Sequence, residues 1–154
     1  MSVDWGVVPA QPTEAGFCEW LNTAGLEIPK SQSRFPTLDE LISVLRSFEG
    51  LTIRKEKYGE ALYGISLGEP YSEKYAYILG SIKNNLFHFH FLGSGNQNMM
   101  MLDILKRLAR ICGTFILYES YAATPVIVEE HTDLEQALVD WLKRSQQNYK
   151  DVVK

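Results

Sequence analysis

Residues 75–92 read YAYILGSIKNNLFHFHFL, and their pairing decides how the rest of the chain must fold. Asparagine tolerates positive φ, so Asn84-Asn85 suits the two-residue type I′ turn that joins antiparallel strands. That turn sets Lys83 opposite Leu86, and the remaining register follows by counting. Ile82 faces Phe87, Gly80 faces Phe89 and Ile78 faces Phe91, all on one side of the hairpin. Ser81 faces His88, Leu79 faces His90 and Tyr77 faces Leu92 on the other. Because side chains alternate along a strand, a slip of one residue would exchange the phenylalanines for the histidines. The phenylalanine face is the expected core face, with Phe89 lying over the bare Gly80. His88 and His90 then point the other way, towards Tyr77, Leu79, Ser81 and Lys83.

The period of two extends upstream. LTIRKEK (51–57) and ALYGISL (61–67) alternate in the same way, and GEPYSE (68–73) is a turn segment. Residues 51–92 therefore predict a four-stranded antiparallel meander. Before Gly50 the period is helical. Phe17, Trp20, Leu21 and Ala24 recur at helical spacing within Thr13–Ala24, and Gly25 is a natural stop. Thr37 and Glu40 form a capping box ahead of the apolar face Leu38, Leu41, Ile42, Leu45 and Phe48, which Gly50 ends.

Downstream, Asn98–Cys112 predicts a helix. Met101, Leu105, Leu108 and Cys112 make its stripe, broadened by Ile104 and Ile111. Lys106, Arg107 and Arg110 lie in its second half, where cations suit the helix dipole, and Gly113 stops it. TFILYES (114–120) and PVIVEE (125–130) read as two further strands joined at Ala122–Thr124. Thr132 with Glu135 is a second capping box. It opens a helix to about Gln147 that buries Leu134, Ala137, Leu138, Trp141 and Leu142, leaving 148–154 as a frayed tail. The order ααββββαββα, with strands in runs, predicts an α+β domain with a mainly antiparallel sheet and helices on its phenylalanine face.

A chain of 154 residues, 45% apolar with charges of both signs, is expected to form one globular domain, 1–154. No apolar run approaches the roughly 20 residues that span a bilayer. The start, MSVDWGVVPAQPTEAG, has no basic n-region and no long apolar h-region, so no signal peptide is expected and the cytoplasm is the default address. Cys18 and Cys112 both fall on predicted helices and read as buried free thiols. The net charge is −4, and residues 1–50 hold seven acids against three bases. There is no basic stripe, which argues against nucleic acid as a ligand. A mildly acidic surface suits a basic protein partner, and equally suits plain solubility.

His88 and His90 carry the sharpest chemical signal. At i and i+2 of a strand they share a face, as a metal-binding pair would, but a site needs a third ligand. The remaining histidine, His131, sits beside Glu129 and Glu130 far along the chain. The commoner reading is a solvent-facing or partner-facing pair, and no cofactor or metal is expected. Tyr71, Tyr75 and Tyr77 cluster nearby, and tyrosine-rich semi-polar faces are typical of binding surfaces. The partner-binding candidates are therefore Tyr75, Tyr77, Leu79, His88 and His90. Gly93-Ser94-Gly95 could bring backbone N–H groups to an anion, but it lacks the rest of a nucleotide-binding fingerprint, and a tight turn explains it. Met99-Met100-Met101 cannot all face inward, so one is expected to be exposed. No Gly-x-Ser-x-Gly, HExxH or Cys-His pairing motivates an enzyme.

The stretch LGSGNQNMMMLDILKRLARICGTFILYES (92–120), followed by PVIVEE (125–130), together with the element order, resembles small acidic α+β immunity proteins. Bacteria encode these beside polymorphic or contact-dependent toxins. The resemblance implies a cytoplasmic protein that binds and blocks a toxin, with no chemistry of its own. Two other classes stay open on the residues alone. One is a homo-oligomeric or regulatory module that pairs through Tyr77, Leu79 and Leu92. The other is a small-ligand or metal-binding protein that uses the histidine face.

Overall fold

The computed structural model describes residues 3–119 and 124–153. Along the chain run β1 (Val3–Pro9), α1 (Ala15–Thr23), α2 (Leu38–Arg46), β2 (Ile53–Lys57), β3 (Leu62–Leu67), β4 (Ala76–Lys83) and β5 (Leu86–Gly93). A short 3-10 turn, Gly95–Gln97, leads into α3 (Asn98–Cys112), then β6 (Phe115–Glu119), β7 (Pro125–Val128) and α4 (Leu134–Val153). The strands form one seven-stranded sheet in the order β2-β3-β4-β5-β1-β6-β7, and every neighbouring pair is antiparallel. The fold is α+β, as the strand runs predict. Among the described residues no helix is long and apolar enough to cross a membrane.

The hairpin register is as expected at every position. Lys83 pairs with Leu86, Gly80 with Phe89 and Ile78 with Phe91, and Asn84 and Asn85 turn with φ of 52° and 65°. Phe87, Phe89 and Phe91 are buried, and burying each contributes about 1.5–3 kcal/mol. One detail differs. Gly80 is covered by the ring tip of Phe87 as well as by the Phe89 Cβ, because the two rings stack at 6.0 Å.

The first strand was not foreseen, and it changes the topology. β1 lies between β5 and β6 and joins the meander to the two late strands. Its residues still obey the sheet. Trp5 and Val7 are buried on the phenylalanine side, and Gly6 makes room for the Tyr118 ring on the other. Ala10 N–H donates to the Thr114 carbonyl at 2.9 Å, so the even-numbered residues of β1 bond β6 and the odd-numbered ones face β5. Pro9 is odd-numbered, and β5 has already diverged there, since the β1–β5 pairing ends at Gly6 and His90. Its missing N–H therefore costs no ladder bond. Beyond that point Pro36 takes over the β5 edge, where its carbonyl accepts from Phe87 N–H at 2.7 Å.

Helices cover both faces unequally. Leu41, Val44 and Leu45 of α2, the buried stripe of α3 and Trp141 of α4 pack on the phenylalanine face in the main core. α1 lies on the opposite face, where Phe17 and Leu21 close over Ile116, with Val8 and Ile127 at the margin. Helices do cover the phenylalanine face, as expected; the first helix takes the opposite face because β1, β6 and β7 present apolar residues on both sides.

The capping box at Thr37 is formed, with both reciprocal bonds to Glu40. The one expected at Thr132 is not. Asp133 caps α4 by accepting from Gln136 N–H at 3.1 Å, and the Thr132 hydroxyl instead accepts from Glu129 N–H at 2.8 Å. Leu142 and Ile111, expected inside, are each 45% exposed. α4 continues to Val153, past the expected end near Gln147. The turn expected at Ala122–Thr124 lies outside the described residues except for Thr124, whose carbonyl accepts from the Trp141 indole at 2.9 Å.

Candidate functional site

The pleat of the sheet assembles the candidate face. On the side away from the main core, Leu79 pairs with Gly64 and His90. His90 in turn pairs with Gly6, and Gly6 with Tyr118. One row therefore crosses the sheet from Gly64 to Tyr118. A parallel row runs Arg54, Ser66, Tyr77, Leu92 and Asp4. At the Tyr118 end this face is closed by α1, with Trp20 packed edge-on against Tyr118 at 5.1 Å. At the β3–β5 end none of Tyr77, Leu79, Ser81, His88, His90 or Leu92 belongs to a buried cluster. Each is half-exposed.

Four of the five candidate residues, Tyr77, Leu79, His88 and His90, meet here. Tyr75 precedes β4 and is half-buried; loss of solvent raises its phenol pKa, and the nearby Tyr77 adds to the effect. The Tyr77 hydroxyl lies 3.0 Å from that of Tyr58, which donates to the Glu56 carboxylate at 2.6 Å. That bond holds the proton on Tyr58 and moves its pKa well above the ordinary phenol value. The Tyr77 hydroxyl sits over Gly64, where any Cβ would collide with it. Tyr71, close in sequence, does not join the group. It stands 97% exposed at φ 71° in the β3–β4 turn.

The histidines differ in their surroundings. The His88 ring packs on Phe35 at 4.5 Å. His90 Nε2 lies 3.8 Å from the Asp4 carboxylate. His131 is distant in role, beside Glu130 at 3.5 Å and exposed. Among the described residues no group of three or more His, Cys, Asp or Glu side chains could hold a metal ion. The face offers apolar contact from Leu79 and Leu92, with imidazole and phenol groups around them that both donate and accept. Tyrosine is among the residue types enriched in protein–protein interfaces.

Asp4, Phe35, Tyr58 and Glu56 are the residues that sequence reasoning missed. Asp4 and Phe35 reach the face through long-range pairing that no local pattern records. Tyr58 with Glu56 had a signal, an i, i+2 pair at a strand end.

Two other sequence features resolve into structure. The Gly93-Ser94-Gly95 loop closes on itself: Gln97 Oε1 accepts from Ser94 N–H at 3.1 Å, and Ser94 O accepts from Gln97 N–H at 3.0 Å. Met100 and Met101 are buried, while Met99 is half-buried at a cleft of about 450 Å³ shared with Phe48 and Leu51. Arg107 beside it is fully engaged. It lies 3.6 Å over the Phe48 ring, pairs with Asp103 at 3.0 Å and donates to the Ser47 carbonyl at 3.1 Å.

Compared with protein-family models, curated proteins and solved structures, the chain matches none of them.

Proposed function

We propose that the chain is a non-catalytic protein-binding module, an immunity-type inhibitor that caps a bacterial toxin through the outer face of β3–β5. The observation that carries the reading is the unequal covering of one sheet face. α1 closes it over Ile116, yet among the described residues Tyr77, Leu79, His88 and His90 stay half-exposed and belong to neither buried cluster. Leucine beside tyrosine and histidine, held on paired strands, is a rigid surface that loses little entropy on docking. The choice of a toxin as partner rests on the resemblance in layout and acidic composition.

The test is co-expression with the toxin domain encoded by the gene beside this one, should that gene encode one. Wild type is expected to protect the host and to co-purify as a stoichiometric complex. Leu79→Arg, with an unchanged circular dichroism spectrum, is expected to weaken binding about 30-fold or more, as loss of a central contact does. A neighbouring gene that encodes no toxin, or full protection by Leu79→Arg, removes the reading. A wild type that is itself dimeric and that Leu79→Arg splits would assign the face to a second copy of the chain.

A further inference from the structure

The two edges of the sheet are built differently. β2 is guarded: Lys55 and Lys57 lie on its core side, with their ammonium groups 5.5 and 5.8 Å from the Tyr63 ring. Charges of that kind discourage strand addition. β7 carries no charge in Pro125–Val128. The bonding phase set by Ala10 and Thr114 directs the bonds of Phe115 and Leu117 to their β7 partners Val128 and Val126. Ile127 N–H and C=O therefore point outward from the sheet.

The chain closes the two ends of this edge itself. Arg144 donates to the Pro125 carbonyl at 2.8 Å, and Thr132 N–H donates to the Glu129 carbonyl at 3.1 Å. Among the described residues, what remains open is the length of one pairing residue, Ile127. A cavity lies on either side of it. One, of about 500 Å³, is lined by Ile28, Pro29 and Ile127 with Glu27, Glu129 and Lys30. The other, of about 290 Å³, is lined by Leu26, Ile127 and Ala137 with Asp133, Asp140 and Arg144. Among the described residues Glu27, Glu129, Asp133 and Asp140 make no ion pair within 4.0 Å. Of the two cations, Arg144 is committed to Pro125.

We propose that the β7 edge is a docking site for a short extended segment of a protein partner, with an apolar residue paired to Ile127 and basic residues on both sides. The backbone of Ile127 supplies the pairing, the apolar floor takes the central side chain, and the four carboxylates select for lysine or arginine. The site is separate from the outer face of β3–β5, so its failure leaves the reading above untouched.

The probe is an acetylated, amidated peptide Lys-Lys-Val-Lys-Lys, with Glu-Glu-Val-Glu-Glu as its counterpart, titrated into the full chain and followed by amide NMR at low salt. The basic peptide is expected to shift and protect the Ile127 amide, and the acidic peptide to leave it unmoved. Glu27→Gln/Glu129→Gln, which removes two charges that make no hydrogen bond within the fold among those described, is expected to weaken binding at least fivefold. Raising the salt is expected to act in the same direction. Leu79→Arg is expected to bind the basic peptide as wild type does. Shifts centred away from β7, equal binding of the acidic peptide, equal binding by the double variant, or no binding at millimolar peptide would each overturn the proposal.

Discussion

Tyr71 shows what a single residue reveals. A bulky side chain at φ 71° is strained by about 1 kcal/mol or more, and here it buries nothing in return. Tyr71→Gly is expected to raise the unfolding free energy by about 1 kcal/mol, read from the urea midpoint at constant slope. A decrease would mean that the ring makes contacts in the folded chain. The two thiols differ in the same local way. Burial pushes the Cys112 thiol up to about 11, so at pH 8 it is protonated and enclosed, whereas Cys18 is only half-buried and donates to the Pro12 carbonyl at 3.3 Å. A disulfide-exchange reagent at pH 8 is expected to titrate one thiol quickly and the second only on unfolding. Mass mapping of the fast adduct to Cys112 would contradict this.

Elements show where local chemistry suffices and where it does not. The β4–β5 register was legible because Asn84-Asn85 fixes it alone, and the Thr37 box was legible because its two partners are three residues apart. The α4 cap was misread because Thr132 and Asp133 are both competent, and only the folded chain shows the Thr132 hydroxyl taken by Glu129. Asp133→Ala is therefore expected to cost about 1 kcal/mol through the lost cap, with a matching loss of helical stability. Thr132→Ala should instead free the end of β7 with a smaller effect; a larger loss for Thr132 than for Asp133 would reverse the assignment. α2 offers a charge test. The Arg34 guanidinium, bonded to Glu40 at 2.7 and 2.9 Å, lowers the Glu40 carboxyl to about 2 from about 4.5. A lowered folded pKa stabilises above the unfolded value, and this contribution is lost as pH falls from about 4.5 to about 2. The pair is partly exposed, so solvent limits it to about 1 kcal/mol. Glu40→Gln should trail wild type by that amount at pH 7 and meet it near pH 2; a constant gap would show that the charge is not what stabilises the helix start.

At the scale of the whole molecule, the sequence showed the fold class and most elements but not how the sheet is joined. VDWGVVP alternates correctly once its partners are known, but Gly6 and Pro9 are poor strand residues in isolation. What makes them acceptable is distant: Tyr118 fills the space over Gly6, and β5 leaves before Pro9 needs an N–H. The candidate face was half legible for the same reason, since its β4–β5 rows are local whereas Asp4 and Phe35 arrive from afar. Removing residues 1–9 should abolish cooperative unfolding, because β5 and β6 would lose their shared neighbour and Trp5 and Val7 would leave the main core. A truncated chain that still melts in one sharp transition would mean that the two halves of the sheet close without β1.

The position of β1 also imposes an order in time. The first of these seven strands in chain order is interior to the sheet, yet its partners β5 and β6 come much later in the chain. Trp5 has no strand partner before Phe91 is made, and Val7 none before Leu117. Docking β1 between β5 and β6 is therefore a long loop-closing step, slow compared with the hairpins it unites.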